Sequence, residues 1–466
     1  MNLRSYCILA AVFVLQGCSR KENSFAYWAE EVTVSTQDNA LRAQITLNLR
    51  QDCSYRVRYW QSSDESGTTA TTSLQGGRAG ANVTTLKFLY PQTDYSFEIL
   101  VEGSAARSRQ VEFRTGSLPE DIPIYTVERT SPADRALPGC IMQLDSSSPG
   151  YVTFCDYDGN IVWYQSFGEG VRTGWFDPQT QRLAVMTGFK DGEDSEDFLR
   201  LVNDFWVADL DRNILFHRKA NEGFIENAHH EFKFLPDGRM IAVANSVREF
   251  DLRSRGAAEE STPVWGDGFV VFDADGQIVQ SWDCFGELSP AEVDYIDPVK
   301  CSLDYVHANS VDADSEGNFY MTFNRISELW KIDGTTGEVL YRLGAHGDIG
   351  LEGGDYPTGG LHAATVLEPD LVLCYDNGSN RGYSRAVIYR IDPVAKTARY
   401  ELMINLDEAY SSKNRSNSQK ISDDLYLHNG TVSGKLVFTD ASGNVLRVLN
   451  RTGISYRAYY FDRPGQ

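Results

Sequence analysis

The stretch HANSVDADSEGNFYMTFNRISELWKIDGTTGEVLYRL, residues 307–343, contains the pattern that decides the fold. Short apolar segments alternate with turns that end in glycine, namely Asp314-Ser-Glu-Gly317 and Asp333-Gly-Thr-Thr-Gly337. Short runs rich in β-branched and aromatic residues, bounded by Gly and Asp, are typical of β-strands. The stretch therefore predicts four consecutive antiparallel strands.

The same unit recurs along the chain, with comparable turns at Asp156–Gly159, Leu235–Gly238, Asp273–Gly276 and Asp440–Gly443. We count six units, which start near residues 140, 172, 229, 307, 362 and 419. A repeat of about 40 residues is typical of a four-stranded propeller blade, and neighbouring blades must stack to bury their faces. The sequence therefore predicts an all-β protein with a six-bladed β-propeller over residues 139–466.

A second domain is predicted at residues 25–117, where short alternating strands such as Leu41–Leu49 follow one another at the spacing of a β-sandwich. Tyr95, in the segment Leu89–Leu100, resembles the tyrosine corner of an immunoglobulin-like or fibronectin-type-III module. Residues 118–138 are then expected to form a linker.

The first residues of the chain are typical of a targeting signal for export. Arg4 precedes an apolar run, Cys7–Leu15, that is too short to span a bilayer as a helix and is typical of a cleaved secretory signal over residues 1–17. The ending Leu15-Gln-Gly-Cys18 resembles the lipobox of bacterial lipoproteins, which implies lipidation of Cys18 and a tether over residues 18–24. We expect an exported, membrane-anchored protein that faces the periplasm or the cell surface; the alternative is a plain signal peptide.

Charge and cysteine content limit the partners and the cross-links. The formal net charge of −22 argues against nucleic acid and anionic membrane surfaces as partners, so an anionic substrate would need a local basic pocket. An exported protein can form disulfides. Proximity in sequence suggests the pairs Cys140 with Cys155 and Cys284 with Cys301. Cys53 and Cys374 would then remain as free buried thiols.

Histidines mark the start of three consecutive units: His229-His230, His307 and His362. Equivalent positions in successive blades converge on one rim of a propeller. A single histidine at such a position is usually structural, but a structural repeat residue would also recur in the other units. The pattern therefore favours a shared site.

The residues near these histidines suit an oxyanion. Arg325 follows an apolar strand, where an arginine is usually a solvated edge residue, yet its guanidinium can bind an oxyanion through two N–H groups. Asn309 offers an amide donor. Three histidines can also bind zinc, but no further ligand pattern supports a metal, and we predict neither a metal nor a cofactor. Binding a tetrahedral anion, attacking it and moving a phenol proton suits this set better.

The ordered motifs resemble one family. His-His-Glu before Leu-Pro-Asp-Gly, Val306-His307-Ala-Asn309-Ser, Arg325 after a strand, and His362-Ala followed by Tyr375-Asp-Asn-Gly-x-x-Arg381 are together similar to the bacterial arylsulfate sulfotransferases. The resemblance implies an N-terminal β-sandwich, a six-bladed propeller, and transfer of sulfuryl groups from aryl sulfates to phenols without a nucleotide donor.

The resemblance also implies residue roles. His362 corresponds to the histidine that becomes transiently sulfurylated, while His307 and Arg325 hold the sulfate oxygens. His229 or His230 handles the phenol proton, and the His-Glu context favours His230. Further substrate contacts are expected from the remaining polar residues of the motifs and of the histidine pair: His229, Asn309, Asn377 and Arg381.

Two other functions remain open at this stage. A non-catalytic propeller could bind a glycan or a peptide, and a related enzyme could transfer the sulfuryl group to water as an aryl sulfate hydrolase. The expected partners are an aryl sulfate donor, a phenolic acceptor and, through the lipid anchor, a membrane; no nucleic acid is expected, and a homodimer is one expectation for the assembly.

Overall fold

The computed structural model describes residues 21–36, 39–189, 204–219, 228–354, 356–357 and 359–463. The chain divides into two compact units, residues 1–122 with 160–164 and 463–466, and residues 123–159 with 165–462. The predicted signal peptide and Cys18 lie outside the described residues. In the part of the chain that is described, no helix has the length and apolar character needed to cross a membrane.

The N-terminal unit consists of two antiparallel sheets and two short helices, α1 (Phe25–Trp28) and α2 (Glu65–Thr68). One sheet contains β1 (Ala29–Ser35), β2 (Ala43–Leu49) and β6 (Gly80–Leu86). The other contains β3 (Cys53–Gln61), β4 (Ala70–Thr71), β5 (Gln75–Gly77), β7 (Asp94–Val101) and β8 (Val111–Arg114). The hydroxyl of Tyr95 accepts a hydrogen bond from Tyr90 N at 3.0 Å, which is the contact of a tyrosine corner.

Residues 125–461 form six consecutive sheets, numbered here from one to six. Sheet 1 contains β10 (Cys140–Asp145), β11 (Tyr151–Cys155), β12 (Ile161–Ser166) and β34 (Ser455–Phe461). Sheet 2 contains β13 (Gly170–Asp177), β14 (Arg182–Phe189), β15 (Asp204–Asp209) and β16 (Ile214–Lys219). Sheet 3 contains β17 (Ala228–Phe234), β18 (Met240–Phe250), β19 (Thr262–Phe272) and β20 (Ile278–Asp283).

Sheet 4 contains β21 (Ala308–Ala313), β22 (Phe319–Phe323), β23 (Glu328–Ile332) and β24 (Val339–Leu343). Sheet 5 contains β25 (Gly350–Glu352), β26 (Leu361–Glu368), β27 (Leu371–Asp376), β28 (Arg385–Asp392) and β29 (Thr397–Asn405). Sheet 6 contains β30 (Asn417–Ser422), β31 (Leu425–Gly430), β32 (Lys435–Thr439), β33 (Val445–Arg451) and β9 (Tyr125–Thr130). Short 3-10 turns occur at Arg253–Arg255, Cys284–Gly286 and Glu408–Tyr410.

One edge strand from each sheet belongs to a closed ring. The strands β34, β13, β17, β21, β26 and β30 each contact the next in this order, and β30 contacts β34. Each unit start predicted from the sequence lies within two residues of the first residue of β10, β13, β17, β21, β26 or β30. Apolar side chains between successive sheets are buried, as in the cluster that joins Val271 of sheet 3 to Val311 and Met321 of sheet 4.

The glycine turns have the geometry that the sequence predicts. Gly159 N donates to the carbonyl oxygen of Asp156, three residues earlier, and the same bond recurs at the turns that end in Gly238, Gly276, Gly317 and Gly443. Gly337 N donates to Asp333 O, four residues earlier. All six glycines have a φ between 76° and 89°. Glycine adopts this left-handed conformation without a steric penalty, which explains its recurrence at the turns.

The predicted linker over residues 118–138 is wrong in part. Residues 125–130 form β9, which pairs antiparallel with β33 and completes sheet 6. Likewise, β34 from the end of the chain pairs with β10 in sheet 1. Sheet 1 therefore contains a strand from near residue 460, and sheet 6 contains a strand from near residue 125. Local sequence does not reveal these long-range pairings.

The two predicted disulfides are also not formed, since all six described cysteines are free thiols. Cys155 lies opposite Ile141 in the ladder between β10 and β11, so the side chains of Cys140 and Cys155 leave opposite faces of the sheet. Cys284 begins a 3-10 turn and is buried, whereas Cys301 lies in a separate, half-buried turn.

Candidate active site

The predicted histidines come together where three neighbouring ring strands begin. The rings of His230 and His307 contact each other edge to face, with centroids 5.1 Å apart. Asn324 links His307 to His362, because its backbone N donates to His307 O at 2.8 Å and its side-chain Nδ2 lies 3.2 Å from His362 Nδ1. We call His229, His230, His307 and His362 the histidine cluster.

The backbone is irregular at each strand start. His230, His307 and Ala363 have φ angles of 64°, 55° and 53°, and the ladders of β17, β21 and β26 shift register beside them. A residue other than glycine rarely adopts a positive φ, and such strain concentrates at functional sites. A β-bulge redirects a side chain away from the regular alternation. The bulges therefore determine the directions in which the side chains of His230, His307 and His362 point.

His362 is held through one ring nitrogen. Its Nδ1 contacts Asn377 Oδ1, and the Asn377 amide is fixed because Nδ2 donates to Ser412 O at 2.7 Å and to Arg415 O at 3.1 Å. Oδ1 is therefore the acceptor, and Nδ1 carries the hydrogen, so the approach of Asn324 Nδ2 to the same nitrogen is a contact and not a hydrogen bond. Among the described residues the contacts of the His362 ring with polar atoms at hydrogen-bonding distance all involve Nδ1, so Nε2 keeps its lone pair.

Charge and burial keep His362 neutral. Its side chain is 3% exposed, and burial is the largest cause that lowers its pKa well below the usual range. The nearby positive charge of Arg457 and the proximity of His307 lower the pKa of His362 further. A neutral imidazole with a free Nε2 lone pair is a nucleophile that needs no additional base.

His307 has the opposite surroundings. Its Nδ1 donates to Asp304 Oδ2 at 2.9 Å, and the same oxygen accepts from Arg325 at 2.9 Å. Burial would lower the pKa of His307, but the hydrogen bond to Asp304 and its charge outweigh burial and raise the pKa above its usual value. His307 is therefore the member of the cluster most inclined to carry a proton.

Asp304 also holds Arg325, whose Nε donates to the Asp304 carbonyl at 3.0 Å. These contacts occupy two of the five guanidinium N–H groups. The Arg325 side chain is 38% exposed, so it is an accessible cation at the edge of the cluster rather than part of the core.

The histidine pair on β17 divides into an inner and an outer member. His229 uses both ring nitrogens, with Nε2 3.0 Å from Asp267 Oδ1 and Nδ1 2.5 Å from His230 Nδ1. His230 packs against His307 and Tyr456. Of the two candidates for substrate contact, the geometry favours His230. Burial is the first cause that lowers the pKa of both histidines.

Buried arginines make the surroundings electropositive. Arg457 is fully buried, and its guanidinium donates to Ser416 O at 2.6 Å and to Asn309 O at 2.9 Å. Arg172 is 2% exposed, and burial lowers its pKa to about 9. Both arginines act on the pKa of cluster histidines. Positive charge therefore lies beside the histidine cluster in a chain whose formal net charge is −22.

Two predicted substrate contacts have structural roles. Asn309 is fully buried; its Nδ2 donates to Leu361 O at 2.6 Å, and its Oδ1 accepts from Thr322 at 2.7 Å. It thereby ties β21 to β26 just before His362. Arg381 pairs with Asp376 at 2.9 Å, and within the described residues no contact joins it to the histidine cluster. The bulge between Ala308 and Ser310 turns Asn309 away from the expected position beside His307, and the carboxylate of Asp376 holds Arg381.

The other histidines lie apart from the cluster. His217 pairs with Asp204 at 2.9 Å on the outer strand of sheet 2, His346 stacks on Tyr295, and His428 is buried between Ser418 and Thr439. Among the residues that the structure describes, no group of His, Cys, Asp and Glu side chains is arranged to hold a metal ion.

Sequence reasoning missed four contributors: Asp267, Asp304, Asn324 and Arg457. Asp304 could have been found as the carboxylate three residues before His307, and Asn324 as the polar neighbour of Arg325. Asp267 stands out as an aspartate between two glycines in an apolar strand. Arg457 carries no local signal, because it reaches the site only through the pairing of β34 with sheet 1.

Residues 123–442, more than half of the chain, match the family model described as Arylsulfotransferase (ASST). Similar solved structures include a protein of unknown function from Bacteroides caccae, at 12% identity over 70% of this chain and 99% of that chain, with a TM-score of 0.45. They also include the β-propeller domain of Cps50 (Swd1) from Myceliophteria thermophila, at 10% identity over 70% and 88% of the two chains, with a TM-score of 0.37. No curated protein matches the sequence.

Proposed function

This chain belongs to the arylsulfotransferase family, and from that premise we propose that it transfers a sulfuryl group from an aryl sulfate to a phenol through a covalent intermediate on His362. The family establishes an arylsulfate sulfotransferase with an aryl sulfate donor and a phenolic acceptor. The observation that carries the covalent step is the state of His362: neutral, oriented by Asn377 through Nδ1, and with Nε2 left to attack.

In the first half-reaction, Nε2 of His362 attacks the sulfur of the aryl sulfate. The N–S bond forms as the bond from sulfur to the aryl oxygen breaks, and the bond electrons leave with the phenolate. Negative charge on the sulfonate oxygens is balanced by Arg325 at the rim and by the field of Arg457. Fixed cationic donors of this kind stabilise a loose, charge-spread transition state.

The leaving phenolate takes a proton from Nε2 of His307. The family resemblance gave this role to His230, but burial holds His230 in the neutral form, whereas Asp304 favours protonated His307. A general acid works best when its pKa lies near the operating pH. His230, next to His307, then orients the phenol hydroxyl.

In the second half-reaction, a second phenol occupies the place of the first. Neutral His307 takes its proton, the phenol oxygen attacks sulfur, and the N–S bond to His362 breaks. The enzyme returns to its starting protonation state, so the cycle consumes no net proton. Positioning of the two phenols at one place supplies much of the rate.

We extend the proposal to architecture and location. The closed ring of six sheets supports a six-bladed propeller, and the two sheets and tyrosine corner of the N-terminal unit support a fibronectin-type-III-like sandwich. The lipobox-like segment supports an exported lipoprotein anchored through Cys18 and facing the periplasm or the cell surface.

The test is a rapid-mixing experiment with excess p-nitrophenyl sulfate and no acceptor. We expect a burst of p-nitrophenol near one equivalent, followed by a slow phase, and a mass increase of about 80 Da on the peptide that contains His362. Addition of phenol should accelerate the slow phase and consume the label. Turnover with neither burst nor label would indicate direct transfer, and a steady rate that phenol leaves unchanged would indicate hydrolysis.

A further inference from the structure

The motif His-His-Glu ends in Glu231, a carboxylate that the proposed mechanism does not use. Glu231 directly follows His230 within the bulge of β17 and is 2% exposed, and its Oε1 is buried without a hydrogen-bond donor among the described residues. A buried carboxylate is strongly unfavourable in its ionised form unless a donor or a cation compensates it. The charge of Glu231 therefore depends on the charges around it.

Lys233, the next lysine along the same strand, does not compensate Glu231. Its Nζ forms an ion pair with Asp312 Oδ1 at 2.8 Å, and Asp312 Oδ2 accepts a hydrogen bond from Val366 N at 2.8 Å. The positive charge of Lys233 is thus already balanced by a carboxylate on β21. Within the described part of the chain, no ion pair joins Glu231 to a cation.

Arg457 is the buried cation that acts on Glu231 from β34. Its guanidinium donates to the carbonyl oxygens of Ser416 and Asn309 and lies 4.2 Å from the centroid of the Tyr456 ring. None of these contacts supplies a negative charge. Arg457 and Glu231 are near enough for each charge to affect the pKa of the other group, although they form no direct ion pair.

Burial has the largest influence on the protonation of Glu231. It raises the pKa of this carboxyl group above the usual range, the positive charges of Lys233 and Arg457 oppose burial, and the negative charge of Asp312 adds to it. Apart from Arg457, the titratable groups of β34 that interact with Glu231 are tyrosines, whose pKa burial raises: Tyr456 and Tyr459. A change in the local field therefore changes the protonation of Glu231 first.

Arg457 connects Glu231 to the donor site. After burial, its positive charge is the next cause that lowers the pKa of His362, the proposed nucleophile. An ionised Glu231 cancels part of the positive field of Arg457, whereas a protonated Glu231 leaves it intact. Charges interact strongly here because water and salt screen buried groups poorly. The protonation of Glu231 thus affects how favourably the site binds an anion.

We propose that Glu231 takes up one proton when an aryl sulfate binds, and so keeps the positive charge of Arg457 available to the sulfonate group. An O–H bond forms on the Glu231 carboxylate, and the proton comes from the buffer acid in solution. One proton thereby matches the negative charge that enters with the donor. Glu231 is a positioning residue in this role, since it acts through Arg457. The inference rests on the proposed function for the identity of the anion.

Binding of the donor should weaken as the pH rises. Below the pKa of Glu231 the carboxyl group is already protonated, and the affinity is constant. Above this pKa, binding requires proton uptake, so the dissociation constant rises by up to about tenfold per pH unit until the pH reaches the pKa of Glu231 in the complex. His307 adds a separate contribution, because it also loses a proton as the pH rises.

Isothermal titration calorimetry with benzenesulfonate tests this inference on the intact protein. The sulfur of benzenesulfonate is bonded to carbon, so no sulfuryl group is transferred and the titration measures binding alone. Titrations in buffers of different ionisation enthalpy count the protons taken up. We expect Glu231→Gln to take up as much as one proton fewer than the wild-type protein. Above the pKa of Glu231, the variant should also bind about tenfold more tightly.

Two controls isolate the effect of Glu231. The contribution of His307 remains in both proteins, so the difference between them reports Glu231. Glu249→Gln is the matched substitution, because Glu249 is exposed on β18 of the same sheet and accepts a hydrogen bond from Ser261 Oγ at 2.6 Å. Its affinity for benzenesulfonate and its proton uptake should equal those of the wild-type protein.

Infrared difference spectroscopy needs no substitution and does not depend on the folding of a variant. Above the pKa of Glu231, addition of benzenesulfonate to the wild-type protein should produce the C=O band of a protonated carboxylic acid. The band should shift when the carboxyl groups of glutamate carry carbon-13, and the same label in aspartate should leave it in place.

The outcomes separate this inference from the covalent mechanism. Equal affinity and proton uptake in Glu231→Gln and the wild-type protein, or weaker binding by the variant, would overturn the role of Glu231. A wild-type protein that does not bind benzenesulfonate, or binds it without a new carboxylic acid band, would also overturn this role. Absence of the burst and of the label on His362 would instead overturn the proposed function, because benzenesulfonate forms no covalent intermediate.

Discussion

His307 and His362 begin neighbouring ring strands, and each directs Nδ1 at a side-chain oxygen. For His307 that oxygen belongs to the carboxylate of Asp304, and for His362 it belongs to the amide of Asn377. Both partners fix the ring and leave Nε2 for the cluster. The difference between the two sites is one negative charge.

This charge decides the protonation of the two rings. Beside Asp304 the pKa of His307 rises despite burial, whereas beside Asn377 the pKa of His362 stays well below the usual range. A protonated His307 can supply a proton and a neutral His362 can attack sulfur. In the proposed mechanism, two similar histidines in one cluster thus have opposite functions because their partners differ.

Removal of the His362 side chain should have the largest effect on activity. We expect His362→Ala to lower kcat by about a thousandfold or more, because loss of a nucleophile leaves only binding and electrostatic stabilisation. The burst of p-nitrophenol and the added mass should both disappear. His217→Ala is the matched control, since His217 lies on an outer strand and should retain the wild-type rate. Retention of burst kinetics in His362→Ala would assign the nucleophile to another residue.

Arg325 shares the carboxylate of Asp304 with His307, and its substitution tests the role of the positive charge at this position. Arg325→Ala should lower turnover of aryl sulfates by about a hundredfold, the usual effect of losing one donor to a developing oxyanion. Arg325→Lys should recover part of this loss, because lysine restores the charge but not the planar pair of N–H groups. Arg248→Ala removes a comparable exposed arginine that pairs with Asp283 and should leave turnover unchanged. Equal rates for all three variants would make Arg325 a solvated edge residue.

The sequence predicted the repeating elements well because their determinants are local. Glycine in the turn ending at Gly317 and the apolar strand Phe319–Phe323 can be recognised from a few adjacent residues. The positions of the six repeating units follow from these signals. The strand Tyr125–Thr130 was missed because only its pairing with β33, more than 300 residues away, makes it a strand.

The site was predictable only in part for a related reason. The histidines recur at one phase of the repeat and can be found by comparison of the units. Their partners cannot, because the bulges at His230 and Ala363 break the alternation that would say which side chains face one another. Asn309 illustrates this: the regular pattern placed it beside His307 as a substrate donor, whereas it bonds to Leu361 O.

Asp304→Asn replaces the charged partner of His307 with a neutral amide like that of Asn377. Of the predicted changes in activity, we expect this one to be the smallest. In the wild-type enzyme we expect a bell-shaped pH dependence of kcat/KM. His362 must be neutral, so activity falls as pH decreases through the pKa of His362, which lies well below the usual value of a histidine. His307 must be protonated, so activity falls as pH rises through the pKa of His307, which lies above the usual value.

Asp304→Asn removes the charge that raises the pKa of His307, and burial then lowers this pKa. The alkaline limb should move to lower pH by about one unit, a loss of about tenfold on that side. The acid limb, which His362 sets, should move less than the alkaline limb, because the substitution acts on His362 only through the charge of His307. Movement of the acid limb instead would show that Asp304 governs His362, and an unchanged profile would remove His307 from proton transfer.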